Sequence, residues 1–187
     1  MDRTVGRRDV LKTVVLPLVA VATGAFRDRF PVAKTGETMT SRPLMTVRIA
    51  AAPAQKLGAV PHGFRSIVPV TGGDFEGPRL RGRILPGGGD WLLLRPDGVL
   101  ELDLRITLKT DDQALIYMRF QGIRHGPPEV IAALGRAESV DPAKYYFRTL
   151  PSFETSAENY AFLNRIISVG SGEAQPDGAV HRIYEIL

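Results

Sequence analysis

The feature that most constrains this chain is a strict alternation of apolar and polar residues that begins at Leu100. One parity carries only aliphatic side chains, at Leu100, Leu102, Leu104, Ile106 and Leu108. The other parity carries polar side chains, at Glu101, Asp103, Arg105, Thr107 and Lys109. A period of two places these sets on opposite faces of one long β-strand. Turn residues follow at 110–113, and residues 114–122 are predicted to return as a second strand.

The loop length of this hairpin decides which residues face each other. A two-residue loop would mix polar and apolar residues on each face, whereas a three-residue loop, 111–113, keeps both strands in agreement. The three-residue loop sets Arg105 opposite Arg119 and places Gln113 at the position that usually needs a left-handed backbone. Asp103, diagonal to Arg119, is then the carboxylate expected to offset the two arginines.

The rest of the chain reads as short strands separated by Gly- and Pro-rich turns. Further strands are predicted at 44–51, 64–70, 79–85, 145–153, 164–170 and 180–187. Connections are predicted at 53–63, 71–78, 86–90 and 173–178, with a helical turn at 158–163 and one short helix at 129–134. We therefore predict an all-β fold of about eight strands with one short helix. A closed antiparallel β-barrel is the simplest arrangement, because closure leaves no exposed strand edge.

The first 41 residues hold most of the chain's basic excess, which is +4 overall. Arg7 and Arg8 precede an apolar run at 13–26 that is too short to span a bilayer as a stable helix. This resembles a twin-arginine export signal, and a retained membrane-anchoring helix is the alternative. We expect a signal peptide at 1–26, a flexible spacer at 27–41 and the barrel domain at 42–187. The expected location is periplasmic or exported, with the twin-arginine export machinery as a partner.

Composition also limits the chemistry of the barrel domain. The chain has no cysteine, so thiolate metal sites and cysteine nucleophiles are excluded. Its three histidines lie far apart in no ligand spacing, and the Gly-rich stretches lack the Lys-Ser/Thr of a phosphate loop. We therefore predict no metal and no cofactor. We also predict no nucleic-acid partner, because no clustered basic face is visible after the leader.

Several motifs occur together in order along 44–187. They are Thr71-Gly72-Gly73, Phe75-Glu76-Gly77-Pro78, Arg79-x-Arg81-Gly82, Gly89-Asp90-Trp91, Arg95-Pro96-Asp97-Gly98, Thr110-Asp111-Asp112, Ile116-Tyr117, Arg124-His125-Gly126-Pro127-Pro128, Tyr145-Tyr146-Phe147-Arg148-Thr149 and Phe153-Glu154-Thr155. On these motifs the chain resembles the DUF3237 family, also called UPF0311. The resemblance implies a small antiparallel barrel similar to lipocalin-like or allene-oxide-cyclase-like barrels. The family has no settled general activity, so no catalytic residue is carried over. Gln113 stands where the family usually has glycine.

The polar face of the hairpin is the best candidate site. We predict Asp103 and Tyr117 as the catalytic pair, a carboxylate and a phenol within one patch. The predicted ligand-binding residues are Trp91, Glu101, Arg105, Arg119, Gln121, Tyr146 and Arg148. The alternative is that this face is solvated and the leucine row fills the interior. If instead the polar face lines the barrel, the aliphatic face lies outside and predicts a homo-oligomer.

These observations leave three functions open. The leading hypothesis is an exported barrel that binds a small organic molecule as its partner, with cofactor-free acid–base chemistry as an activity open to it. Cyclisation, isomerisation and elimination are the reactions that such a site could catalyse. The alternatives are a non-catalytic periplasmic ligand-binding barrel and an oligomeric accessory protein without a pocket. The sequence does not decide whether the protein is an enzyme.

Overall fold

The computed structural model describes residues 38–187. The strands are β1 (Ser41–Ala51), β2 (Gln55–Val60), β3 (Gly63–Glu76), β4 (Arg81–Leu94), β5 (Leu100–Thr110), β6 (Leu115–His125), β7 (Tyr146–Glu154), β8 (Ser168–Gln175) and β9 (Gly178–Ile186). One α-helix, α1 (Pro128–Gly135), and two 3₁₀ helices, Pro142–Lys144 and Glu158–Arg165, complete the described chain. Within residues 38–187, none of the helices has the length and apolar character needed to cross a membrane. The predicted leader and spacer lie outside the described residues except for the last few positions of the spacer.

The strands form one antiparallel sheet that closes on itself. Its order is β1-β9-β8-β7-β6-β5-β4-β3-β2, and β1 also pairs with β3. This last pairing closes an eight-stranded barrel and leaves β2 outside the closure, attached to β3 alone. The predicted fold class, a closed antiparallel barrel of about eight strands with a short helix, is confirmed.

The β5–β6 hairpin has the predicted register. Arg105 lies opposite Arg119, and Asp103 lies opposite Gln121. Gln113 adopts the left-handed backbone that the three-residue loop requires, with φ of 73°. Its own backbone N–H donates to the carbonyl oxygen of Thr110 at 2.9 Å, and its Nε2 donates to that of Asp111 at 3.1 Å. These two bonds help to hold a conformation that costs a residue with a Cβ about 1 kcal/mol.

The aliphatic row of β5 points into the barrel. The largest fully buried side chains are Phe75, Phe120, Phe147, Leu44, Ile106, Leu108, Ile116, Met118, Leu163, Ile183, His181 and Val47. The polar parity of β5 and β6 therefore lies on the outer face, where Arg105 and Arg119 are exposed. The interpretation in which the polar face lines the barrel is wrong for this hairpin. The prediction of self-association rested on an aliphatic face that points outward. That face is buried in the core, so it does not need a partner subunit to cover it.

All four predicted connections turn out to contain strand, and the predicted turn at 173–178 shortens because β8 extends to Gln175 and β9 begins at Gly178. Residues 71–76 continue β3, and residues 86–90 continue β4 through a bulge at which the β4–β5 register shifts between Leu85 and Gly89. Residues 55–60 form β2. Glycine signals a turn in sequence, but here it permits close strand packing: a Cβ at Gly73 would collide with the carbonyl oxygen of Arg48 on β1. Helix α1 follows its prediction closely, with proline at its start and Val130 and Leu134 packed against the core.

Candidate functional site

A cleft of about 650 Å³ lies on the outer face of the barrel across β3 to β7. Strand pairing aligns five residues of this face in one row, and they are Arg65, Leu93, Glu101, Ile123 and Arg148. The full lining is Arg65, Trp91, Leu93, Glu101, Leu102, Asp103, Gln121, Gly122, Ile123, Tyr146, Arg148, Thr149 and Leu150. Because Glu101 and Asp103 have the parity opposite to the core residues, the cleft opens on the outer face. Leu102, Gly122 and Thr149, which have the inner parity, complete its floor.

Part of the cleft is apolar although it faces away from the core. Leu93 is only 8% exposed and yet lies outside the core cluster, so outer-face neighbours cover it. Ile123, Tyr146 and Leu150 remain 39%, 43% and 64% exposed. The barrel does not need these side chains for closure, and a concave surface that carries them beside polar groups is typical of a ligand site.

The two carboxylates of the cleft already have cationic partners. Asp103 Oδ2 accepts a hydrogen bond from Arg105 at 2.8 Å, and Glu101 Oε1 accepts one from Arg95 at 3.3 Å. The guanidinium of Arg105 also lies 5.3 Å from the centre of the Trp91 ring, within the range of a cation–π contact. The expected diagonal pairing of Asp103 with Arg119 is wrong, because Asp103 pairs with Arg105 of its own strand.

The two guanidiniums of the cleft are held by backbone carbonyls. Arg65 donates to the carbonyl oxygen of Trp91 at 2.9 Å, and Arg148 donates to that of Phe147 at 2.9 Å. The guanidinium of Arg148 also lies 5.0 Å from the centre of the Tyr146 ring. Neither Arg65 nor Arg148 forms an ion pair with a carboxylate of residues 38–187. The cleft therefore combines carboxylates that are ion-paired with two guanidiniums that have no carboxylate partner among the described residues.

Asp90 lies directly behind the cleft wall. Its Oδ1 accepts the backbone N–H of Asp103 at 3.0 Å. Asp103 lies between Leu104 and Glu101, two residues of β5 that pair with Asp90 and Leu93 of β4. Burial raises the pKa of Asp90 to about 7. The Asp103 N–H and the charge of Arg124 oppose this rise, and the charge of Asp103 adds to it. The sequence analysis missed Asp90 because it assigned residues 86–90 to a loop; its only signal was the Gly89-Asp90-Trp91 motif.

Three buried polar side chains lie on the inner faces of β6, β7 and β9. Arg124 Nε, Thr149 Oγ1 and His181 Nδ1 are buried and find no hydrogen-bond partner among the described residues. Burial lowers the pKa of Arg124 and lowers the pKa of His181 to about 4. The His181 ring packs against Phe120 and Phe147, with ring centres 4.7 Å and 5.2 Å away. None of these inner residues was predicted, since nothing in their spacing marks them.

Six of the nine predicted site residues line the outer cleft. They are Trp91, Glu101, Asp103, Gln121, Tyr146 and Arg148. Arg105 lies beside the cleft as the partner of Asp103, whereas Arg119 is exposed outside the lining and donates from Nε to Ser152 Oγ at 3.3 Å. Tyr117 lines a different depression, with Phe153, Glu154 and Asn164 among its neighbours. The structure therefore does not bring the predicted catalytic pair, Asp103 and Tyr117, into one site.

Sequence reasoning missed the apolar and cationic walls of the cleft. Arg65, Leu93, Ile123 and Leu150 contribute to the lining but were not predicted. Arg65 lies within the predicted strand 64–70 but was not assigned to the site, and Leu93 lies in a part of β4 for which no strand was predicted. Ile123 and Leu150 are apolar residues at positions where the alternation predicts polar ones. This departure from the alternating pattern is the sequence feature that could have identified them as site residues.

The fold and the cleft define a class of small, closed antiparallel β-barrels with a mixed apolar and charged cleft on the outer wall. Within that class, the chain belongs to the family described as "Protein of unknown function (DUF3237)", whose sequence model matches residues 39–186. The predicted resemblance to DUF3237, or UPF0311, is confirmed.

Relatives and solved structures agree with this assignment. A UPF0311 protein from Rhodopseudomonas palustris is 35% identical over 150 residues, which cover 80% of this chain and 98% of that protein. Its crystal structure matches with a TM-score of 0.79, over 81% of this chain and 99% of that one. A beta-barrel like protein from Acinetobacter baumannii matches with a TM-score of 0.71 at 37% identity, over 82% and 99% of the two chains. A protein from Penicillium herquei described as an enzyme shares the fold at 18% identity, with a TM-score of 0.63 over 83% and 100%.

Proposed function

We propose that this protein binds a small organic molecule in the outer cleft. The observation that supports the proposal is the joining of exposed apolar side chains with fixed hydrogen-bonding groups in one concavity of about 650 Å³. Ligand sites for small molecules typically have this volume and this mixture, with apolar walls for affinity and a few polar groups for orientation. The filled interior of the barrel directs the search for a ligand to the outer wall.

Cofactor-free acid–base catalysis on the bound molecule is a second candidate function. Asp103 presents a carboxylate to the cleft. Asp90, whose pKa burial raises to about 7, accepts the backbone N–H of Asp103 from the inner side of the wall and is not part of the lining. A carboxylate and a phenol beside a bound molecule are groups suited to the proton transfer that cyclisation, isomerisation or elimination requires. Tyr146 supplies the phenol in this cleft, in place of Tyr117.

Trp91 provides a direct test of binding, because it is the single tryptophan of the chain and lines the cleft. We expect at least one compound in a library of small organic acids, bases and neutral molecules to raise the melting temperature and change Trp91 emission. A ligand at about 100 times its Kd stabilises a folded protein by about 2.7 kcal/mol, which a thermal scan resolves. Trp91→Phe serves as the emission control. A library that changes neither signal would contradict the proposal.

We also propose that the protein is exported through the twin-arginine route and functions in the periplasm. The motivation is Arg7-Arg8 ahead of the short apolar run, which lies outside the described residues. Replacing both arginines with lysine should retain the full-length protein in the cytoplasm, as measured by cell fractionation. A matched change of Arg27 and Arg29 to lysine, beyond the apolar run, should leave the distribution as in wild type. An unchanged periplasmic yield from the Arg7/Arg8 variant would rule out this route.

A further inference from the structure

We infer that the outer cleft is built for a flat organic acid and that Arg148 receives its carboxylate. This inference rests on the proposed function and adds to it the chemical class of the ligand. Arg148 lines the cleft from β7 and is exposed, so its guanidinium is available to a molecule that enters.

Three features hold Arg148 in position before any ligand arrives. Its Nη1 donates to the carbonyl oxygen of Phe147, and its guanidinium lies over the Tyr146 ring. Tyr146 is itself stacked on His125, with ring centres 5.0 Å apart and an angle of 20° between the rings. A guanidinium carries five N–H donors in a rigid planar fork, and one contact to a carbonyl leaves the others for a ligand. The fork matches the two oxygens of a carboxylate, which it binds through paired hydrogen bonds.

The charge balance of the cleft favours an anion at Arg148. Glu101 is paired with Arg95, which also pairs with Asp97, and Asp103 is paired with Arg105. These cations reduce the repulsion that the two cleft carboxylates would exert on a negative ligand. Arg65 on the opposite side is also free of carboxylate partners among the described residues. It lies four strands from Arg148, about 19 Å along the sheet at the usual strand spacing, and donates to the Trp91 carbonyl. Arg148 is therefore the guanidinium next to the exposed Ile123 and Leu150.

The apolar neighbours of Arg148 indicate the body of the ligand. Ile123 lies directly opposite Arg148 on β6, and Leu150 follows two residues later on the same face of β7. Both side chains are exposed at the surface of the cleft. A flat hydrocarbon ring could cover them while its carboxylate reaches Arg148, and this would remove apolar surface from water. A small hydrophilic anion would leave that surface exposed.

The test uses 2-naphthoate and its neutral counterpart 2-naphthamide, which share a ring system and differ in charge. Naphthoate is ionised at neutral pH, as carboxylic acids are. Isothermal titration calorimetry and Trp91 emission should show naphthoate binding at least about tenfold more tightly than naphthamide. Arg148→Ala should weaken naphthoate binding by about 10- to 100-fold, the loss of a charge-assisted hydrogen-bonded pair. Arg148→Lys should recover only part of this loss, because a lysine keeps the charge and lacks the fork.

Arg119→Ala is the matched control, since Arg119 is an exposed arginine on the neighbouring strand outside the lining. It should leave the naphthoate affinity within about twofold of wild type. Equal binding of the two probes, no detectable naphthoate binding, or an Arg148→Ala variant that binds like wild type would each overturn this inference. The proposed function would survive if neutral molecules in the library still bind at Trp91. It would fail with the inference if no molecule does.

Discussion

The inner and outer faces of the β5–β6 hairpin differ in what determines their residues. On the inner face, Leu104 and Phe120 are neighbours across the strands, and both are buried in the core. On the outer face, Arg105 and Arg119 are neighbours in the same way, and both are exposed. Packing alone accounts for the inner residues, because close-packed side chains tolerate little change in volume.

The outer residues need a different explanation. Exposed ion pairs such as Asp103–Arg105 contribute only about 0–1 kcal/mol to stability, so the fold alone does not require them. The exposed apolar side chains Ile123 and Leu150 stabilise the fold even less, since they remain in water. The proposed binding of a small molecule would account for a cluster that neither packing nor pairing explains. This contrast directs attention to the cleft rather than to the interior.

The sharpest test of the contrast is a pair of adjacent truncations on β6. Phe120→Ala removes a fully buried ring and should lower the free energy of unfolding by about 3–5 kcal/mol. Arg119→Ala, one residue away on the opposite face, should change it by less than about 0.5 kcal/mol. Urea denaturation followed by circular dichroism measures both. Similar losses from the two variants would show that the outer face also contributes to the core.

The next largest effect should come from Asp90, whose carboxyl is buried on the inner side of the cleft wall. Its folded-state pKa is raised from 3.8 to about 7, so the folded protein holds the proton more tightly than the unfolded chain does. Its contribution to stability is therefore complete below about pH 4 and is lost as the pH rises to about 7. Asp90→Asn should remove this loss, and relative to wild type it should gain on the order of 2–4 kcal/mol between pH 4 and pH 8.

Only the difference between wild type and Asp90→Asn isolates this effect. Burial lowers the pKa of His181 from 6.5 to about 4, so the contribution of His181 to stability is lost as the pH falls through that interval. The two groups therefore tilt the stability curve of wild type in opposite directions below pH 6.5. Urea midpoints for both proteins at several pH values separate the two contributions. A difference that stays constant from pH 4 to pH 8 would show that Asp90 titrates normally.

Local sequence patterns predicted the hairpin well because each of its contacts lies within about twenty-five residues. The alternation in β5 gave the strand, and agreement of the two faces selected the three-residue loop. The same pattern could not say which face points inward, because an alternating strand suits both a barrel with a packed apolar interior and a barrel with a polar interior that holds a ligand. That choice depends on closure of β1 against β3 and β9, which brings together residues from the two ends of the domain.

The cleft was predicted on the hairpin, on its neighbour β7 and at Trp91 of β4. Asp103, Gln121 and Arg148 were identified, since strand parity places them on one face. Leu93 was missed because β4 continues through a bulge that resembles a loop in the sequence. Arg65 was missed because its pairing with Leu93 was therefore not predicted. Asp90 was missed for the same reason as Leu93, since its position in a Gly-rich stretch resembles a loop.

The smallest expected effect tests whether the outer face consists of two parts, the cleft and a remainder that is only exposed to solvent. Tyr117 shares the outer face with Asp103 but lies opposite Thr107 and lines a separate depression. Tyr117→Phe removes only the hydroxyl, so we expect the free energy of unfolding to change by less than about 0.5 kcal/mol. The affinity for any ligand that changes Trp91 emission should stay within about twofold of wild type.

Tyr146→Phe is the matched variant, because it removes the same hydroxyl from a residue that does line the cleft. If Tyr117→Phe weakens binding as much as Tyr146→Phe does, the site extends along the whole hairpin, and the division of the outer face into two parts is wrong.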